Sequence, residues 1–99
     1  MKSSSRENSP RLVTNHGHVL ACIAADSHAR LRDIADTVGI TERTAAQIVG
    51  ELEEAGYLTR TRVGRRNRYR IDGKRKVRAA PLATMTVAQL LVVLMQALD

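Results

Sequence analysis

Arg43 and Gln47 stand four residues apart, about one helical turn, and both end in flat groups able to bond two atoms at once. A guanidinium matches the O6 and N7 acceptors of guanine; a carboxamide matches the N6 donor and N7 acceptor of adenine in the major groove of a duplex. Thr44, between them, is short and suits a phosphate or a thymine methyl, and Ala46 shares the same face. Glu42 is two-sided. It favours a helix N-terminus through the dipole and can accept from cytosine N4, but its charge repels phosphates. Glu51, Glu53 and Glu54 follow at the far end of the same segment, where they would be held off a polyanion.

A second group of residues supplies charge rather than choice. The chain has 16 Lys and Arg residues and a net charge of +6, and ten of the 16 lie between Arg60 and Arg78. No acidic residue occurs between Glu54 and Asp72. Such a block seeks a polyanion, most often a nucleic-acid backbone. A solvated tail kept for solubility is the plain alternative, but strand-like alternation runs through the block. That alternation predicts Arg60, Arg62, Arg68 and Arg70 on one side of a hairpin, with a turn at 64–67 carrying Arg65 and Arg66 at the tip. Tyr57 and Tyr69 are the only aromatic residues, which argues against single-strand binding by base stacking.

Other chemistry finds little support. His16, His18 and His28 with Cys22 match no metal-ligand spacing, and Cys22 on an apolar helix reads more readily as a small core residue than as a redox switch. There is no Gly-rich phosphate loop, nucleophile motif or credible carboxylate pair, so neither catalysis nor a cofactor is expected. A single cysteine permits no intrachain disulfide, residues 1–11 are polar with no apolar run, and no segment approaches the ~20 apolar residues of a membrane span. The expected setting is the cytoplasm, at the nucleoid, without a membrane partner.

The elements that must position these residues can be read from apolar periodicity. A chain of 99 residues makes one domain with one modest core. Residues 1–11 are expected to be a disordered arm. A first helix starts near Thr14 or Asn15 and buries Leu20, Ile23 and Ala24, flanked by Val19 and Cys22. Asp26, Ser27 and His28 break the pattern, and 29–31 can lie extended. A second helix at about 32–38 ends at Gly39, Thr41 caps a third at 42–55, and Gly56 closes it. Two helices joined by so short a Gly-containing turn form a helix-turn-helix, and the hairpin after them is a wing. Gly50, in mid-helix, suggests close approach of another backbone or helix.

Beyond residue 73 a basic linker, 74–85, leads to a last helix at 86–99, opened by a capping box of Thr86 and Gln89. Its residues are apolar almost all round. It is therefore expected at a subunit interface, the alternative being a terminal helix folded back on its own domain. The fold class expected is α+β, mainly α: a winged helix-turn-helix domain at 12–73 with a three-helix core, a two-stranded wing and a C-terminal helix.

The run 29–71 resembles winged helix-turn-helix repressors of the ArsR and MarR type, in particular short stand-alone bacterial members. The likeness lies in L-x-x-I-A-x-x-V-G-I-T from Leu31, L-x-x-A-G-Y-L from Leu52, and an Arg-rich hairpin ending Y-x-I at Ile71. It implies a transcriptional regulator of double-stranded DNA, a homodimer whose first and last helices meet. Val19, Leu90, Leu91, Leu94, Met95 and Leu98 would then form the interface. A helix-turn-helix docks its recognition helix in the major groove, and the resemblance implies that each wing follows the adjacent backbone. It carries over no effector site: the paired cysteines of ArsR-type metal sensors are missing from 30–38, and any small-molecule effector is unknown. A winged helix serving as a protein-interaction module through its terminal helix is the rival reading.

Overall fold

Thr14 opens the first helix as its sequence position predicts, its hydroxyl accepting the Gly17 N–H at 3.4 Å. The computed structural model describes residues 13–78 and 80–96; the expected N-terminal arm and Leu98 lie outside the described residues. Within them the order is α1 (Asn15–Ala25), α2 (Leu31–Val38), α3 (Glu42–Glu54), β1 (Leu58–Val63), β2 (Arg66–Ile71), a 3-10 turn (Leu82–Thr84) and α4 (Val87–Gln96). The architecture is a winged helix, mainly helical, with one two-stranded antiparallel sheet.

The turn between α2 and α3 sets the crossing of the two helices. Gly39 adopts φ +86°, a left-handed backbone that suits a residue without Cβ, and its N–H donates to Ala35 O. Ile40 follows, half-buried, and Thr41 caps α3 by accepting the Thr44 N–H at 3.0 Å. The core then forms where the three apolar stripes meet: Ile23 from α1, Ile34 from α2, Ala45 and Val49 from α3. Leu58 and Tyr69 seal its hairpin side, and Val87 and Leu91 seal it from α4. Burying an aliphatic side chain of this size contributes roughly 1.5–3 kcal/mol.

The last helix departs from its expected role in part. Its capping box is made reciprocally, Thr86 N–H to Gln89 Oε1 at 2.9 Å and Gln89 N–H to Thr86 Oγ1 at 3.2 Å. The helix lies against α1, with Val87 and Leu91 buried and Leu90, Leu94 and Met95 half-buried, while Val92 and Val93 are each 57 % exposed. It is thus covered on one side by its own domain, not awaiting burial all round. Val19, expected at a subunit interface, is 0 % exposed inside the core and has no surface left for a partner; Leu91, at 8 %, has little. The stretch after the hairpin is stitched to the start of α4: Val77 N–H donates to Met85 O, Val87 N–H to Arg75 O and Ala88 N–H to Gly73 O.

Gly50 has no close neighbour. A Cβ placed there meets nothing within 4 Å, which corrects the expectation of a close approach. Gly50→Ala is therefore expected to stabilise the domain by about 1 kcal/mol, the helix-propensity difference, as a higher urea midpoint at unchanged slope.

Candidate nucleic-acid interface

The first turns of α3 stand clear of the core because its apolar residues all fall on the opposite stripe. Glu42, Arg43 and Gln47 are exposed, and Thr44 and Ala46 are half-buried at the edge of the stripe. Among the described residues Arg43 has no hydrogen bond or ion pair, so its guanidinium fork is free. Thr44 is partly committed: its Oγ1 accepts from Thr41 Oγ1 at 2.9 Å, leaving its own hydroxyl hydrogen for an outside acceptor. Glu42 occupies the first turn, where the unpaired N–H groups and the dipole favour a carboxylate.

Gln47 is not alone. Its Nε2 donates to Glu51 Oε2 at 3.3 Å, and the other Glu51 oxygen, Oε1, lies 2.6 Å from His16 Nε2 on α1. The hydrogen bonds from His16 first and Gln47 second hold the Glu51 carboxyl below the usual carboxylate range, although the group faces solvent. The expectation that Glu51 merely stands off at the far end misses this link. The Gln47–Glu51 half could be read from their i, i+4 spacing; the His16 half joins residues 35 apart in sequence and could not.

The hairpin distributes its arginines differently from the simple alternation. Cross-strand partners run Leu58↔Ile71, Thr59↔Arg70, Arg60↔Tyr69, Thr61↔Arg68, Arg62↔Asn67 and Val63↔Arg66. Partners directly opposite share a face. Arg60 and Arg62 therefore lie on the face of Leu58, Tyr69 and Ile71, and Arg68 and Arg70 lie on the other with Thr59 and Thr61. The four do not share one side. The loop is the two residues Gly64 and Arg65 rather than 64–67, with Gly64 at φ +63° as the first central residue of a type II′ turn requires. A loop of either length sets Arg60 and Arg62 on the face of Tyr69 and Ile71, opposite to Arg68 and Arg70.

Each arginine then meets different company. Arg60 Nη2 pairs with Glu53 Oε1 at 2.9 Å, so its charge is already matched by α3. Arg62 Nε donates to Gly64 O at 3.2 Å, and Arg66 Nη2 to His28 O at 2.6 Å. The latter bond and Tyr69 N–H to Ser27 O, 2.9 Å, bind β2 to the turn after α1. Among the described residues Arg65, Arg68 and Arg70 have no partner and are exposed. These form the uncommitted positive surface of the wing.

Elsewhere the sequence candidates disperse. Among the described residues no group of three or more His, Cys, Asp or Glu is placed to hold a metal ion, and no helix is long and apolar enough to cross a membrane. Cys22 is half-buried in a groove of about 320 Å³ between α1 and α2, floored by Ala21, Ala25, Ile34 and Val38. Burial pushes its thiol pKa up, which keeps it protonated and a weak nucleophile.

Comparison with known proteins agrees with this geometry. Residues 14–59 match a family described as winged helix-turn-helix DNA-binding. A comparison with curated proteins finds no match. Among solved structures, the fold is similar to that of the PcaV transcriptional regulator from Streptomyces coelicolor, crystallised in complex with its natural ligand. The TM-score is 0.55 at 24 % identity; the likeness covers 92 % of this chain and 66 % of that one.

Proposed function

We propose that the chain is a sequence-specific regulator of transcription that binds double-stranded DNA as a homodimer and acts as a repressor of the ArsR or MarR type. The observation that carries this reading is the joint exposure of Arg43 and Gln47 on α3 beside the unpaired Arg65, Arg68 and Arg70 of the hairpin. α3 would enter the major groove by its N-terminal half, Arg43 and Gln47 contacting base edges, Glu42, Thr44 and Ala46 lying along them, and the wing arginines contacting phosphates. The outer side of α4, where Val92 and Val93 join the half-buried Leu90, Leu94 and Met95, would meet a second copy. The likeness to a regulator that binds a natural ligand adds no ligand for this chain.

Selection of bound duplexes from a random pool tests the reading. A palindromic site is expected, mirroring a two-fold dimer. Arg43→Ala should then lose about 1–3 kcal/mol of discrimination at one base pair of each half-site, with other positions unchanged. An unchanged profile would overturn the assignment of Arg43.

The exposed Val92 and Val93 also favour a second reading, a winged helix that docks a different protein through α4. Light scattering with duplex titration at two salt concentrations separates the two. A monomer that ignores duplex DNA at low salt supports docking alone.

A further inference from the structure

We propose that Glu51 is a positioning residue that determines which base Gln47 selects, by fixing the orientation of the Gln47 side-chain amide. The inference deepens the reading of Gln47 as a base-contacting residue and rests on it.

An ionised carboxylate only accepts hydrogen bonds. The Gln47 amide must therefore turn its NH2 toward Glu51, as the 3.3 Å bond from Nε2 to Oε2 has it. Glu51 is itself fixed, because His16 on a different helix holds its second oxygen at 2.6 Å. A carboxylate held from two sides is a better template than a free surface glutamate, whose rotamers would let the amide turn with it.

Gln47 then has its carbonyl oxygen and one N–H left over. One acceptor beside one donor is the complement of adenine, which offers the N6 donor and the N7 acceptor. Guanine offers two acceptors, O6 and N7, and an amide free to turn over can offer its NH2 to them. With the NH2 tied to Glu51, turning over breaks that bond and aims the carbonyl oxygen at the carboxylate. Glu51 thus selects adenine over guanine without touching either base.

The test compares the full chain with E51A, E51Q and Q47A by mobility shift, on the selected duplex and on one with guanine in place of the adenine assigned to Gln47. Both Glu51 variants remove a negative charge from the DNA-facing helix and are expected to bind every duplex more tightly. E51Q keeps an oxygen that can accept from Gln47 and should keep the adenine preference. E51A should reduce that preference about tenfold. If E51A retains the preference, or if E51Q loses it as fully as E51A does, only charge is at work and the positioning role is overturned. Q47A separates this from failure of the underlying reading. A Q47A protein with the parent profile overturns base contact by Gln47, and the inference with it; a Q47A protein that loses the preference while E51A keeps it overturns the role of Glu51 alone.

Discussion

Replacing Arg68 and Arg70 together by Ala is expected to weaken binding to all duplexes alike and to flatten its salt dependence, whereas Arg60→Ala is expected to leave the salt slope nearly unchanged. The contrast follows from the hairpin register. Arg68 and Arg70 share a face, are exposed and have no partner among the described residues. Arg60 lies on the opposite face and is already paired with Glu53. A free guanidinium that meets a phosphate displaces counterions, and log K falls with log salt by about 0.9 for each such contact. Removing two contacts per chain should reduce the slope by about 1.8, or about 3.6 for two copies on one site. Arg60 must first leave Glu53 to reach a phosphate, and its removal leaves that carboxylate unneutralised. Titrations of a selected and a scrambled duplex between about 50 and 200 mM salt, over which binding through several phosphate contacts falls by orders of magnitude, read both effects. Equal slopes for the Arg68/Arg70 variant and the parent would remove the outer face of the wing from the interface.

That experiment turns on the faces of the hairpin, which its register sets. The helices were legible from punctuation and period: Thr14, Thr41 and Thr86 cap α1, α3 and α4, Gly39 and Gly56 close α2 and α3, and Ile34, Val38, Ile48 and Leu52 repeat at helical spacing. The strands were legible as strands, since arginine alternates there with Thr, Tyr and Ile. Their register was not. Gly64-Arg65-Arg66-Asn67 reads equally well as a turn of four residues or of two. Both readings put Arg60 and Arg62 on the face of Tyr69 and Ile71, so the faces follow from the period of two and an even loop, while the exact cross-strand partners do not. Moving the loop changes which arginines stand opposite which partners. The exposed half of α3 was legible for the same reason as its buried half, while His16 on Glu51 and Glu53 on Arg60 were not: both join separate elements, and neither leaves a local pattern. Which side of the last helix its own domain covers was not legible from composition. Its apolar residues have one covered side because α1 has apolar surface to spare beside it, a tertiary fact that no window of sequence contains.

Tyr69→Ala should cost about 3–5 kcal/mol of folding stability, the range for emptying a buried aromatic site, while Tyr69→Phe should change it by less than about 1 kcal/mol. Tyr69 is 3 % exposed and projects from the wing into the helical core, on the strand face it shares with Leu58. The chain has no Phe or Trp to share this load. Among the described residues its hydroxyl makes no hydrogen bond and is not a buried orphan, so little is lost with the oxygen. Almost all of the effect should come from the ring. Its backbone N–H also reaches Ser27 O at 2.9 Å, so the same residue ties β2 to the core by its side chain and to the turn after α1 by its main chain. A domain of this size has a total stability of roughly 5–15 kcal/mol, so the Ala variant should be close to unfolding and the Phe variant should not. Urea denaturation at equal slope measures the difference. Because Arg68 and Arg70 flank Tyr69 on the opposite face of one strand, the order imposed on the ring is passed directly to the two arginines. Where Tyr69→Ala remains folded at low temperature, it should therefore lose part of the salt-dependent affinity although every wing arginine is still present; full retention of that affinity would mean that the ring stabilises the domain without positioning the wing.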